Sequence, residues 1–383
     1  MGMVKILATA DWQLGKAISG AGEQSHIFRE QLFLTAETIV TEIAPENDVD
    51  LIVICGDLFD RPEASWELIE RTAEMLKKSE IPIHIISGNH DALEPSQETC
   101  LWKLDRELGS QSNIIIHKTR EPYHIENLGC TIYPGVLNAR FDNSDQVGWI
   151  PSRDKKDGVR IGLFHGAICK FGEGEDFRIQ NLEPTLAIDK DLDIALLGDW
   201  HQPKGDEKDS PMAQPDNRLW YTWAPEAQKL SDNKIGRVLI CDLEVGEEPN
   251  VNPIEVGKNC FISKPIEFEN EYKNEDFESE MEAISKLIEQ SSGYNLVIRI
   301  IASGWLNESD YIRLESTISE LKSNNNKIMF KDRLSILPAN LDKSEDLINQ
   351  ISETINASGE AKEIKDLAIK LLYKYARQEL GGE

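Results

Sequence analysis

Apolar residues in the first half of the chain fall into short, nearly unbroken runs: Val4 to Ala8, Leu51 to Cys55, Ile83 to Ile86, Ile161 to Phe164 and Ile194 to Leu197. Each has only four or five residues, is rich in β-branched side chains and shows no strict alternation. Such runs predict strands covered on both faces, as in a parallel sheet with layers packed on either side. Helical spacing takes over between them. His26 to Ile43 carries Ile27, Leu32, Leu34, Ile39 and Ile43, and Ser65 to Lys78 carries Trp66, Leu68, Ile69, Met75 and Leu76. We read both as stripes that face the core. Weaker runs at Gly129 to Pro134 and Arg237 to Leu243 extend the sheets, so the pattern predicts a layered α/β domain.

The pattern changes after Gly246 to Lys258, a turn-rich acidic stretch. Phe261 to Phe268 alternates as a strand, Glu275 to Gln290 is helix-like, Tyr294 to Ile301 strand-like, Tyr311 to Lys322 helix-like and Lys327 to Leu337 strand-like. This βαβαβ order suits a small separate cap. Two helical segments follow Pro338, Asp346 to Ile355 and Ala361 to Glu379, divided by Asn356 to Gly359. The expected division is residues 1–257, 258–340 and 341–383.

Chemistry enters at the ends of the first five runs. They finish in Thr9-Ala10-Asp11-Trp12-Gln13, Gly56-Asp57-Leu58-Phe59-Asp60, Gly88-Asn89-His90-Asp91, His165-Gly166 and Gly198-Asp199-Trp200-His201. Alone, most of these are ordinary turns, and a single buried histidine is usually structural. In an open α/β sheet, however, the carboxyl ends of the strands face one crevice, so these distant residues would meet in space. The order resembles the calcineurin-like metallophosphoesterase superfamily, with its DxH, GDxxD, GNHD, lone His and GHxH motifs. The Asp57-to-Asp60 continuation, the long interval before His165 and the added C-terminal module look most like the SbcD branch of double-strand-break-repair exonucleases.

That resemblance implies two facing mixed β-sheets flanked by helices, with a small α/β cap and C-terminal helices. It implies a DNA nuclease using two divalent ions about 3.5–4 Å apart, which acidify a water and clamp the attacked phosphate. Carried over by position, one ion falls to Asp11, Gln13, Asp57 and His201, and the other to Asp57, Asn89, His165 and Asp199. His90 would stabilise the transition state or protonate the leaving oxygen, with Asp91 orienting its ring, and Asp60 would orient a ligand or hold a loop. Two residues depart from the family pattern, Gln13 and Asp199, each standing where the family has histidine. The result is a harder, oxygen-rich ligand set that suits manganese, or magnesium, over zinc. Hydrolysis of a small phosphodiester and a weakened scaffold subunit are the alternative readings. Trp220, Tyr221 and Trp223 either stack on an exposed base or pack the sheet edge.

Charge qualifies this picture. With 41 basic against 68 acidic residues the net charge is −27, which is unusual for a protein that meets a polyanion unaided. A partner that supplies basic surface resolves the tension. The resemblance implies an SbcC-like coiled-coil ATPase, docked by the C-terminal helices, and a homodimer is compatible with it. Six cysteines without CxxC spacing point to a reducing compartment, and no run approaches the roughly 20 apolar residues of a membrane span. The expected location is the cytoplasm.

Overall fold

The computed structural model describes residues 2–17, 25–109, 113–168, 181–202, 217–229, 232, 234–268, 279–280, 282–286, 293–323, 327–337, 345–360, 362, 364–365, 367–369 and 371–372. The chain divides into two compact units, Met1–Phe261 with Gly293–Asn295, and Ile262–Ser292 with Leu296–Glu383.

Strands of the first unit are, in chain order, β1 (Val4–Thr9), β2 (Leu51–Cys55), β3 (Ile83–Ile86), β4 (Ile114–Ile116), β5 (Tyr123–Ile125), β6 (Cys130–Pro134), β7 (Val159–His165), β8 (Ala167–Ile168), β9 (Asn181–Leu182), β10 (Ile194–Gly198), β11 (Leu219–Tyr221), β12 (Arg237–Leu243) and β13 (Asn250–Glu255). They form a six-stranded sheet, β13-β12-β1-β2-β3-β4, a five-stranded sheet, β11-β10-β7-β6-β5, and a two-stranded pair, β8-β9. Strands β1 to β4 run parallel, as do β6, β7, β10 and β11, while β12 and β13 join antiparallel at one edge and β5 at another. The fold is the expected α/β arrangement of two mixed sheets.

Strand periodicity explains why the sheets face each other. Val4, Ile6 and Ala8 share one buried cluster with Leu51 and Val53 and with Ile132, Ile161, Leu163, Ile194 and Leu196 of the other sheet. The intervening Leu7, Ile52 and Ile54 point the opposite way and pack with Leu32, Ile69, Leu76, Leu101 and Leu104 on the helices. Burying one such aliphatic side chain contributes about 2 kcal/mol. A one-residue slip of β1 would exchange its two sets of neighbours, so two-sided burial fixes the register.

The first helix, Ser25–Thr38, buries Phe28, Leu32, Phe33 and Ala36, whereas Ile27 and Leu34 are 40% and 44% exposed. The expected stripe is therefore displaced around the helix. A π-helical turn, Ile39–Ile43, continues it and widens the turn by about one residue, which changes which side chains share a face. In Trp66–Leu76 the Ser65 side chain accepts the Leu68 N–H as an N-cap, and Ile69, Met75 and Leu76 are buried, but Trp66 is 52% exposed. The stretch read as turn-rich and acidic holds β13. It escapes a propensity reading because it is an edge strand in which two Asn, Pro253 and Glu255 outnumber Val251 and Ile254, and Pro253 needs no ladder donor there.

The second unit is built on β14 (Asn259–Phe268, entered from the first unit), β15 (Asn295–Asn307) and β16 (Lys327–Leu337), adjacent in that order. β15 and β16 are parallel and joined by the helix Glu308–Ser323, a βαβ crossover. A further helix, Glu345–Ala357, follows. No described helix is long and apolar enough to cross a membrane.

Candidate metal centre

Five loops at the carboxyl ends of β1, β2, β3, β7 and β10 carry the polar motif residues. The first two loops zip together: Gln13 N–H donates to Asp57 O (2.9 Å), Leu14 N–H to Leu58 O (2.9 Å) and Asp60 N–H to Leu14 O (3.2 Å). The backbone has to turn sharply to bring side chains inward. Asp11, Gln13, Asp57 and Asp199 all have positive φ, at 54°, 43°, 54° and 85°. Non-glycine residues rarely hold that conformation, and four at the ends of three strands of the two sheets mark backbone shaped for a site.

At the centre, one ligand atom each from Asp11, Asp57 and His165 lie within 4.8 Å of one another, and all three residues are buried. His165 Nδ1 is 2.8 Å from Cys55 O, which aims Nε2 at Asn89 Oδ1 (2.9 Å) and Asp57 Oδ2 (3.6 Å). Glycines make this crowding feasible. A Cβ on Gly88 would lie 2.1 Å from Asp57 Oδ1, and one on Gly198 or Gly56 would lie 2.5 Å from His165 Nδ1. Burial raises the Asp11 pKa well above the usual range, aided by Asp57 and Asp199 and opposed by His165. Burial alone would lower His165, but the Asp57, Asp11 and Asp199 charges outweigh it and carry it to about 9. Carboxylates crowding one imidazole make a pocket suited to a cation.

The two expected ligand sets differ in fit. Asp57, Asn89 and His165 present oxygens and one imidazole nitrogen to a common point, with Asp199 close enough to act on His165 electrostatically, and so fit a divalent ion. In the set Asp11, Gln13, Asp57 and His201, Asp11 and Asp57 belong to the central cluster, and Gln13 is the member turned the wrong way. Gln13 turns its Nε2, a donor without ligand capacity, to Asp57 Oδ2 (3.3 Å) and His201 Nε2 (3.2 Å). Its oxygen accepts from Lys16 Nζ, which also donates to Gln228 Oε1 at 3.0 Å. Gln228 Nε2 in turn donates to Asp11 O. Lys16 and Gln228 were not legible as site residues. Lys16 follows the first motif by three positions, a weak local signal, and Gln228 is 217 residues from Asp11.

His90 and Asp91 divide their work differently from expectation. Asp91 is buried and accepts from Gly88 N–H (2.7 Å) and Phe59 N–H (3.3 Å), tying the third loop to the second. Burial and the Asp57 charge push its carboxyl up to about 7. It does not orient the His90 ring. The Asp60 carbonyl does so, 2.7 Å from His90 Nδ1, while His90 N–H donates to Asp57 Oδ1 at 2.8 Å. His90 therefore keeps Nε2 for other partners.

The aromatic segment begins on the edge strand of the five-stranded sheet. Leu219–Tyr221 is a strand, and Tyr221 is 1% exposed. Its ring stacks on Trp200, and its hydroxyl accepts from Ile168 N–H (3.1 Å) and donates to Gly166 O (3.3 Å). It has no face for a base. Trp220 packs against the cluster between the sheets, its Nε1 donating to Asn217 O, and Trp223 lies under the Arg237 guanidinium, 4.8 Å from the ring centroid.

Residues 4–239 match the profile of the calcineurin-like phosphoesterase family, and the chain belongs to that family. It is a metal-dependent phosphoesterase by fold and by site. Within the family it falls in the SbcD-like branch. It is 27% identical over 280 residues to the SbcD component of nuclease SbcCD from Bacillus subtilis (strain 168), covering 64% of this chain and 68% of that protein. Over 106 residues it is 39% identical to the SbcD component of nuclease SbcCD from Staphylococcus epidermidis, covering 26% of each.

Proposed function

We propose that the chain is the nuclease subunit of an SbcD-like complex, hydrolysing DNA phosphodiesters in repair or in defence against foreign DNA. The observation that carries the reading is the meeting of Asp11, Asp57 and His165, with Asn89 beside them, at the carboxyl ends of four strands. Asp57, Asn89, His165 and Asp199 would hold the ion, and mixed oxygen and imidazole donors suit manganese, with magnesium as an alternative. When bound, it supplies an acidified water and offsets charge on the phosphate.

His90 contributes the proton. With Nδ1 held by the Asp60 carbonyl, Nε2 is the atom that gives a proton to the leaving oxygen or to the charged phosphate. Its backbone N–H, bound to Asp57 Oδ1, fixes the imidazole relative to the carboxylate at the centre. His90 is a reacting group, and the Asp60 carbonyl positions its ring.

The C-terminal helices are proposed to dock an SbcC-like ATPase. Ile351, Ile364, Leu367 and Leu371 are exposed, at 37%, 53%, 58% and 41%, which supports an amphipathic surface for a helical partner. Such a partner also supplies the positive surface that a chain at −27 lacks. The test is cleavage of labelled DNA that requires added divalent ion and is lost in Asp57→Ala. Cleavage without metal, or retained in the variant, contradicts the proposal.

A further inference from the structure

We infer that Lys16 takes the place of one of the two metal ions, so that the chain works with a single divalent ion held by Asp57, Asn89, His165 and Asp199. The inference rests on the phosphodiesterase reading of this site. Its basis is the direction of the hydrogen bonds around Gln13. Lys16 is a donor only, and its Nζ donates to the side-chain oxygens of both Gln13 and Gln228. Turning the Gln13 amide over would set its NH2 against the Lys16 ammonium. Lys16 thus fixes the amide with Nε2 toward Asp57 Oδ2 (3.3 Å) and His201 Nε2 (3.2 Å). The only ligand atom Gln13 has, its amide oxygen, is taken by the ammonium, and its NH2 stands within hydrogen-bond reach of both Asp57 and His201.

The surrounding contacts hold Lys16 in place. Its backbone N–H donates to Gln13 O at 3.0 Å, closing the turn that returns the side chain to the site. Gln228, the second acceptor, is braced by its own N–H to Asp232 Oδ2 (2.9 Å) and donates Nε2 to Asp11 O. A glutamine at 13 and a lysine at 16 are complementary: the lysine supplies positive charge beside Asp11, and the glutamine relays hydrogen bonds to Asp57 and His201. The chemistry that results is one ion and one ammonium on a phosphate, instead of two ions.

The test uses the full chain stripped with EDTA, reloaded with manganese and freed of unbound ion. Metal content is counted by mass spectrometry, and coupling is read by electron paramagnetic resonance. The wild type should hold one ion per chain with an uncoupled six-line spectrum. Lys16→Met, which releases the Gln13 oxygen, should approach two ions per chain with the broadened spectrum of a pair about 3.5–4 Å apart. Two coupled ions in the wild type overturn the inference, whatever becomes of the variant. So does a variant with native circular dichroism that stays at one ion. If Lys16→Met does not fold, Lys16→Leu, which likewise donates nothing to the Gln13 oxygen, is counted in its place, with the same expectation. A wild type that holds one ion yet cleaves no phosphodiester with any metal sinks the functional reading while the assignment of Lys16 stands.

Discussion

Glu226 offers a test of how burial and hydrogen bonding compete in this fold. Its carboxylate accepts from Thr35 Oγ1 (2.5 Å), Lys258 N–H (2.7 Å) and Asn259 N–H (2.8 Å), and so anchors the loop that carries Gln228 to the site. Three donors favour the anion, but burial is the larger effect and pushes the group up to about 7 from its ordinary 4.5. A raised carboxyl binds its proton more tightly in the folded chain. Its stabilising contribution is complete below pH 4.5 and is lost as the pH rises through 7. The difference of 2.5 units, at 1.36 kcal/mol each, corresponds to about 3 kcal/mol.

Glu226→Gln removes the titration but leaves an amide NH2 that cannot accept one of the donors, at a cost of about 1–3 kcal/mol. The variant should therefore be less stable than the wild type at pH 5, and the gap should narrow by about 2.5 kcal/mol at pH 8, because part of the effect is already lost at pH 5. Urea unfolding followed by tryptophan fluorescence reads the first unit, because seven of the eight tryptophans lie there and only Trp305 lies in the second. A gap that is equal at both pH values refutes the raised carboxyl. One that widens with pH shows that the three donors outweigh burial.

Three further outcomes follow from the site. His90→Ala should lose about 10²–10⁴ in rate while keeping the wild-type ion content, since it is placed outside the ligands; loss of the ion would contradict that placement. Gly88→Ala puts a methyl 2.1 Å from Asp57 Oδ1 and should weaken metal affinity by about 10–100-fold, measured by calorimetry; unchanged affinity would show the cradle to be soft. Truncation after residue 339 should preserve hydrolysis of bis-p-nitrophenyl phosphate but abolish co-purification with a coiled-coil ATPase, and retained co-purification would place docking elsewhere.

The strands that carry the site were legible because they are buried on both faces. Leu51–Cys55 and Ile83–Ile86 form over the expected residues, and β7 and β10 extend only slightly beyond theirs. Once those strands are parallel, convergence of Asp11, Asp57, Asn89 and His165 follows from topology. Less legible were features decided by tertiary context. β13 has only Val251 and Ile254 among Asn, Pro and Glu, the first helix turns a different face inward, and Tyr221 spends its hydroxyl on the backbone. Side-chain direction was hidden as well. Gln13 occupies a ligand position by spacing, but which end of its amide faces inward depends on Lys16 and on Gln228, brought in by a distant loop.

The central claim, that the cluster at the carboxyl ends of β1, β2, β3 and β7 is a metal-dependent phosphodiesterase site, is tested most directly by metal readdition. EDTA-stripped full chain is titrated with manganese while hydrolysis of labelled DNA and ion content are followed together. Hydrolysis should be absent in the stripped chain, rise in proportion to bound ion and be missing, along with the ion, in Asp57→Ala. Cleavage that persists after stripping, or ion binding that Asp57→Ala leaves intact, would contradict it.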